Sequence, residues 1–422
     1  MQNSYTYWRA SHPLFFITIH LMAGIAMAQW LPLYSNLVAS LIAISILFIS
    51  ISLLLFLTSI RKINEIISLI LFITLICWGV AIKLASQQQT FYNIHYPTQI
   101  INGCRNWMIE KINKTITTKE SNGFALAILI GVKMDMDRTL ISAYTQLGII
   151  HIIAISGMHL EILFKNLARI TNYLPRKRIF IILELLILLI GVWMYTLIAF
   201  SSPSIVRASL FFSIYAIGKF MGAKSFILNT IAAGIFILLL FNVKGLNNIG
   251  LQLSYAAVIG IHLFYKLLYN SIEINNPIIQ FLWSNCCISL SAQLTTFPIL
   301  LLHFHQIAGW VLVSNFIMVP LSNLILYGLG ILLILPIQFK ITSVWGKIVD
   351  HYILFFNHFV NNWFTHTKAQ SIQISINGIQ IVLYYFILLF VYLWLYLRKT
   401  GWLLATLCLI SIYIILKLFS LA

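Results

Sequence analysis

The sequence predicts an all-α polytopic membrane protein with about 11–13 transmembrane helices, some of them broken, and a small helical segment outside the membrane. Of its 422 residues, 61% are hydrophobic and only 8% are charged. Apolar runs long enough to cross a bilayer, which takes about 20 residues for a helix, recur along the whole chain. This composition excludes a soluble globular class.

The predicted spans follow one another closely, except across one long polar stretch. The first run also resembles a signal peptide, but the parity of the later spans favours an uncleaved helix. Residues 308–336 exceed one span and contain Pro320, which predicts two half-helices. Residues 343–363 carry Lys347 and Asp350 and are predicted to lie in the interface. The spans are residues 14–30, 37–58, 66–84, 149–168, 179–199, 203–219, 225–241, 250–267, 279–302, 308–336, 343–363, 379–397 and 401–420.

The spacing of the spans divides the chain into four parts. They are an N-terminal three-helix membrane segment (1–84), an outer helical segment (85–148), a membrane core (149–340), and an interfacial helix with the last two spans (341–422). Within the outer segment, residues 101–117 and 121–133 have helical periodicity, and a third short helix is predicted from Arg138.

The net charge of +17 has two interpretations. In a soluble protein it would indicate nucleic-acid binding, but the cytoplasmic loops of membrane proteins also collect Lys and Arg. The clusters at 61–62 and 176–178 predict a cytoplasmic N-terminus and a C-terminus outside. The basic and aromatic residues of the outer segment fit contact with a nucleic-acid strand or with anionic lipid.

One membrane stretch, GIIHIIAISGMHLEILFK at 148–165, combines an apolar composition with polar side chains. A continuous helix here would carry His151, Ser156 and His159, with Gly157 adding flexibility. Polar groups at membrane depth are costly and usually face a bundle interior or a water-filled path. The stretch therefore predicts a polar surface inside the bundle.

Four later segments also interrupt the apolar pattern. Arg207 would need a partner inside the membrane, and Glu184 is a candidate. A helix broken at mid-depth is predicted where polar residues run into Pro298. Each segment alone fits hydrogen bonding between helices, but together they favour a polar path or substrate site. The candidate positions are Arg207, Gln252, Ser254, Gln293, Thr296, Pro298 and Asn315.

Catalytic and cofactor motifs are absent from the sequence. It contains no phosphate-binding loop, no zinc-protease motif and no nucleophile elbow. The five cysteines show no metal-binding spacing, and His303 and His305 have no third ligand at a suitable distance. We therefore predict no catalytic residues, no metal and no cofactor, and a protein that is not an enzyme.

Four segments, in this order, resemble the ComEC competence family of DNA-uptake channels. They are HIIAISGMH at 151–159, SPSIVRA at 202–208, GLQLSYAAVIGI at 250–261 and the run from Ala292 to Pro320. The resemblance covers roughly residues 120 to 335 and rests on the order and spacing of all four segments.

The resemblance implies a channel in the bacterial inner membrane that passes single-stranded DNA during natural transformation. The implied partners are single-stranded DNA, the lipid bilayer, a separate nuclease, a cytoplasmic helicase-type motor, competence DNA receptor proteins and further copies of the chain. It implies pore positions at His151, Ser156, His159, Arg207, Gln252, Gln293, Thr296 and Asn315.

The sequence departs from the family pattern in two places. Residues 85–120 are too few for the family's oligonucleotide-binding-fold domain, and its metallo-β-lactamase-like nuclease domain has no counterpart before Ala422. The expectation is a short member, with the nuclease lost or encoded separately. Two alternatives stay open, which are a transporter or flippase of a lipid-linked or other anionic solute, and a scaffold.

Overall fold

The computed structural model describes residues 13–27, 98–132, 136–175, 177–200, 202–222, 227–241, 248–367, 371–374 and 376–419. The predicted spans at 37–58 and 66–84 lie outside these residues. The described helices are α1 (Pro13–Met27), α2 (Thr98–Thr115), α3 (Lys119–Ile130), α4 (Arg138–Gln146), α5 (Ile150–Ile153), α6 (Gly157–Thr171), α7 (Arg178–Ile198), α8 (Pro203–Phe220), α9 (Ile227–Phe241), α10 (Ile249–Tyr269), α11 (Pro277–Phe304), α12 (Val311–Ile334), α13 (Lys340–Thr367), α14 (Gly378–Leu397) and α15 (Thr400–Phe419).

The all-α polytopic prediction is confirmed. Among the described helices, α7, α10, α11, α12 and α14 are long and apolar enough to cross a membrane, and α9 and α15 are shorter apolar helices. The described strands are β1 (Gln306–Ala308) and β2 (Ser371–Gln373), which pair antiparallel with Gln306 opposite Gln373. This ribbon joins the ends of α11 and α13.

Local sequence explains several helix boundaries. Asn276 precedes Pro277, and its side chain accepts a hydrogen bond from the amide of Ile278 at 2.9 Å, so α11 begins with a capped first turn. Asp137 accepts from the amide of Thr139 at 3.0 Å and caps α4 in the same way. The three helices predicted between residues 101 and 148 are confirmed as α2, α3 and α4.

The chain forms two compact units. The first contains the described residues of Met1–Tyr96, Leu167–Ile190 and Ser209–Asn248. In it α1 packs on α9, and the hydroxyl of Thr18 donates to the carbonyl of Ala232 at 3.0 Å. The second contains the described residues of Pro97–Asn166, Gly191–Ala208 and Ile249–Ala422, and it holds all the candidate site residues.

The core of the second unit lies where α3 and α4 pack against α12 and α13. Phe124, Tyr144 and Phe356 form an aromatic triangle there, with ring centroids 5.8 to 6.3 Å apart. The hydroxyl of Tyr144 donates to Asn357 at 2.9 Å. Residues 119–146, which the sequence places in an outer segment, thus share one core with α12.

Two charged side chains bind helix ends in this unit. Arg105 on α2 donates to the carbonyls of Leu197 and Ile198 at the end of α7, both at 3.0 Å. Lys111 is 3% exposed and donates to the carbonyl of Leu333 at the end of α12. Cations near the carbonyl end of a helix are stabilising, so α2 joins the ends of two apolar helices.

Candidate functional site

The stretch that the sequence predicts as one span is interrupted in the structure. Helix α5 ends at Ile153, Ala154 is extended, and α6 begins at Gly157. The expected continuous helix over residues 149–168 is therefore wrong. The reason is local, because Ser156 bonds to a side chain in the first turn of α6 and so starts a new helix.

His159 is that side chain. The amide of Ser156 donates to Nδ1 of His159 at 3.1 Å, and the Ser156 hydroxyl lies 3.0 Å from the same nitrogen. A His here takes the place of the Glu or Gln of a capping box. Because an amide can only donate, Nδ1 is an acceptor and the neutral ring carries its hydrogen on Nε2. The ring is 3% exposed, and Nε2 has no hydrogen-bond partner within the described part of the chain.

Gly157 is packed against a neighbouring helix, whereas His151 is exposed. A Cβ placed on Gly157 would lie 3.4 Å from the Cβ of Ala208, so the start of α6 packs closely on α8. His151 on α5 is exposed, but it lies near enough to His159 for the two rings to interact electrostatically. The structure therefore places the turn of Ser156, Gly157 and His159 next to α8 through Gly157, with His151 near His159.

Arg207 lies on α8 next to that contact. It is 6% exposed, and its Nε has no hydrogen-bond partner among the residues described. It interacts electrostatically with Tyr255 on α10, whose buried hydroxyl is likewise unpaired within the described residues. Glu184, the partner suggested by the sequence, forms an ion pair with Lys219 at 3.2 Å.

Helices α10 and α11 pack closely through small residues. Ala256 and Gly260 of α10 face Ser291 and Thr295 of α11, and a Cβ on Gly260 would lie 3.0 Å from Cγ2 of Thr295 and closer still to its hydroxyl. The Thr295 hydroxyl donates to the carbonyl of Ala256 at 2.7 Å. Small residues at a spacing of four let two backbones approach in a membrane. This interface fixes how the polar residues of both helices are placed.

Gln252 connects the same two helices at one end. Its side-chain oxygen lies 3.3 Å from Nε2 of His303. His303 thus takes part in an interhelical hydrogen bond, and the described residues contain no group of three or more metal-ligating side chains. Ser254 is half-buried on α10 next to Tyr255.

The predicted helix break at Pro298 is wrong, because α11 continues through it. Proline cannot donate to the carbonyl four residues earlier, so the backbone there needs other donors. The carbonyl that Pro298 leaves without its usual donor is that of Leu294, and at the next residue Tyr385 of α14 donates to the carbonyl of Thr295 at 2.9 Å. Thr296 bonds within its own helix, to the carbonyl of Ala292 at 2.9 Å. Thr296 and Pro298 are therefore parts of one unbroken span.

The two half-helices predicted for residues 308–336 are also absent, since α12 runs continuously through Pro320. Asn315 lies near its start, and Oδ1 of that residue is buried with no partner inside the described ranges. The Nε2 atom of Gln293 on α11 is also buried and has no hydrogen-bond partner within the described residues. The contacts that join α6, α8 and α10 do not reach these two residues.

Unpaired buried polar atoms are the common feature of the second unit's apolar helices and their turns. Within the described residues they belong to His159, Ser202, Arg207, Tyr255, Ser291, Gln293, Asn315 and Asn323. Most natural buried polar groups have a partner, so these atoms are candidates for contact with water or with a polar ligand. Cavities of about 380 Å³ and 360 Å³ lie elsewhere, beside Asp137 and beside Glu273 respectively.

Sequence reasoning missed three contributors to this region. Tyr255 was recognisable as a polar group inside a span, but it gives no motif that separates it from an ordinary core tyrosine. Gly260 follows Ala256 by four positions, a small-residue spacing that predicts close helix packing. Nothing in the spacing of Tyr385 indicates that it hydrogen bonds to α11.

Together, the apolar helices define a multi-pass membrane protein. The chain belongs to the competence protein family, whose model matches residues 128–399. This range contains every candidate site residue and confirms the resemblance drawn from the four segments.

A curated relative supports the same family. The chain is 31% identical over 214 residues to ComE operon protein 3 of Bacillus subtilis (strain 168). The alignment takes in 50% of this chain but 26% of that protein, so the chain matches about a quarter of its relative's length. No solved structure matches the chain.

Proposed function

We propose that this chain is a component of a channel that passes single-stranded DNA across the bacterial inner membrane during natural transformation. The observation that carries the proposal is the set of buried, unpaired polar atoms in the region of its apolar helices. An unsatisfied polar group in hydrocarbon costs several kcal/mol. Such a set is stabilised when a polar substrate or water passes it.

The charge of the interior supports a polyanion as the substrate. Arg207 is a buried cation in this set, and no Asp or Glu occurs in the sequence of α8, α10, α11 or α12. Membership of the competence protein family and the similarity to ComE operon protein 3 support DNA uptake as the process. A channel of this kind needs no catalytic group of its own.

The proposal includes partners and an orientation. A DNA strand needs a receptor that delivers it, a nuclease that removes the other strand, and a cytoplasmic helicase-type motor that pulls it. The distribution of Lys and Arg predicts a cytoplasmic N-terminus and a C-terminus outside the inner membrane. A pore between further copies of the chain is part of the same proposal.

The test replaces Arg207 by Gln in a deletion strain and measures transformation frequency together with internalisation of labelled DNA. We expect a loss of about tenfold or more, because even ~1.4 kcal/mol of lost stabilisation changes a rate or population tenfold. The matched control is Arg169→Gln, which makes the same chemical change at an exposed position of α6. Western blots of membrane fractions show whether each variant is inserted normally.

Two results would overturn these assignments. If deletion of the gene leaves DNA uptake unchanged, the channel function is wrong. If Arg207→Gln is inserted and transforms like Arg169→Gln, Arg207 does not line the path. A stably inserted, fully active His159→Ala variant would remove His159 from the path in the same way.

A transporter or flippase of an anionic solute is the second candidate, and one observation favours it. Transporters use the N-terminus of an interrupted helix to bind anionic groups, and the interruption before Gly157 has this form. Right-side-out vesicles distinguish the two candidates. A flippase moves labelled anionic lipid between leaflets without DNA, whereas a channel component does not.

A further inference from the structure

We infer that His159, Arg207 and Tyr255 together bind one phosphodiester group of the passing strand. This inference rests on the proposed function and makes it specific, since it names the chemical group that the polar interior recognises. It depends on three observations. The side chains present hydrogen-bond donors, their helices pack on one another, and the surrounding charge is positive.

All three side chains present unpaired donors. The hydrogen on Nε2 of His159 follows from the bond that its Nδ1 accepts from the amide of Ser156. The Nε of arginine can only donate, and a tyrosine hydroxyl donates to any acceptor. Each of these atoms is buried and has no partner among the residues that the structure describes. The ligand that complements them must offer acceptors.

The three donors come from helices that touch one another. Gly157 at the start of α6 packs on Ala208 of α8, which is the neighbour of Arg207 in the sequence. Arg207 interacts electrostatically with Tyr255 of α10. His159 lies in the first turn of α6, where the helix dipole also favours a negative charge. The three side chains therefore lie on helices that these two contacts join.

The surrounding charge selects an anion. Arg207 supplies one fixed positive charge, and α8 and α10 contain no acidic residue. Glu161 on α6 is already paired with Lys165 at 2.5 Å. A phosphodiester carries one negative charge and offers only acceptor oxygens, so its charge and hydrogen-bonding capacity both match. Donor bonds to a charged oxygen are about twice as strong as neutral ones.

The experiment compares two oligodeoxythymidylates of equal length with purified protein in phosphatidylcholine nanodiscs. One has the natural phosphodiester backbone, and the other has a neutral methylphosphonate backbone. We expect the wild-type protein to bind the natural strand about tenfold or more tightly than the neutral strand. Since this comparison needs no variant, it is independent of any folding defect.

Variants then assign the preference to the three residues. His159→Leu, Arg207→Lys and Tyr255→Phe are each expected to reduce the preference for the charged backbone severalfold. Arg207→Lys keeps the charge but lacks the planar fork of donors. The control is Tyr327→Phe, which removes a hydroxyl from an exposed position of α12 and should leave the preference unchanged.

The outcomes separate this inference from the proposed function. If neither strand binds wild-type protein, both are wrong. If both strands bind equally, or if the three variants keep the wild-type preference, the phosphate site is wrong and the channel function stands. If phosphatidylglycerol nanodiscs block the natural strand and the variants relieve the block, the site holds a lipid phosphate, which overturns the nucleic-acid assignment.

Discussion

At the scale of single residues, Asp350 shows how one buried carboxylate organises a turn. Its Oδ2 accepts hydrogen bonds from the amides and hydroxyls of Thr117 and Thr118, at 3.1 to 3.3 Å. These residues lead into α3, whose cap residue Thr118 makes no side-chain cap bond of its own. Asp350, on α13, therefore caps another helix and supplies the negative charge that a helix N-terminus favours.

Asp350→Ala should destabilise the protein by about 1–3 kcal/mol, because it removes a charged acceptor from partly buried donors. The measurement is the thermal unfolding midpoint in detergent, followed by tryptophan fluorescence. Asp350→Asn keeps an acceptor oxygen and should lie between the wild type and the alanine variant. Asp137→Ala removes an exposed cap from α4 and should have a smaller effect. Equal midpoints for the two alanine variants would contradict the role of Asp350.

The sequence predicts which residues are polar inside the membrane better than it predicts their partners. Arg207 and His159 were identifiable because charged and polar side chains in an apolar run are rarely accidental. The positions of these side chains relative to one another are not identifiable from the sequence, because they depend on contacts between distant segments. The tautomer of His159 follows from a local hydrogen bond to Ser156. That bond forms only because a new helix begins at Gly157, and the apolar periodicity of the sequence does not show this interruption.

At the scale of helices, the contact between α10 and α11 depends on Gly260. A Cβ at this position would overlap the Thr295 hydroxyl and the Ser291 carbonyl. Gly260→Ala should therefore force the two backbones apart and cost about 1–3 kcal/mol. Because Gln252, Tyr255 and Gln293 lie on these helices, the same change should lower DNA uptake.

Gly218→Ala is the matched control for that prediction. Gly218 is also in a helix, and a Cβ there would have no heavy atom within 4 Å. Alanine favours a helix over glycine by up to about 1 kcal/mol, so this variant should be as stable as the wild type or slightly more so. The thermal unfolding midpoints of the two variants test whether Gly260→Ala is less stable than Gly218→Ala. A Gly260→Ala protein as stable as Gly218→Ala would show that α10 and α11 do not need this contact.

The helix boundaries show where local sequence rules hold and where packing overrides them. Asn276 before Pro277 is a start signal that the sequence carries openly. Pro298 and Pro320 are stop signals by the same rules, yet α11 and α12 pass through them. One turn before Pro298 the carbonyl of Thr295 accepts a hydrogen bond from Tyr385, which lies far away in the sequence. A local pattern cannot contain that information.

At the scale of the whole molecule, the sequence and the structure place the region before residue 149 differently relative to the membrane. The sequence predicts that residues 85–148 form one segment outside the membrane. In the structure, Lys111 binds the carbonyl of Leu333 at the end of α12, whereas a Cβ on Gly148 would touch Val311 at its start. A helix of 24 residues is about 36 Å long. The chain between residues 111 and 148 therefore covers the length of a membrane span.

This packing predicts that Asn113 and Thr145 lie on opposite sides of the membrane. Asn113 should share a side with Gln338, which follows α12, and Thr145 should share a side with Gln306, which precedes it. Each of these four exposed residues is replaced by cysteine in a protein whose five native cysteines are removed. Labelling with an impermeant maleimide, in whole cells and in inverted vesicles, then assigns each position to a side.

The pairing of the labels separates the packing from the sequence prediction. If α12 spans the membrane, Gln306 and Gln338 must differ, and this pair serves as the internal control. Asn113 labelled with Gln338 would show that residues 111–148 cross the bilayer beside α12, burying the apolar helix α3 within the bundle. Asn113 and Thr145 labelled together from outside would instead support an outer segment, and α12 would then be the helix whose placement in the membrane has to change.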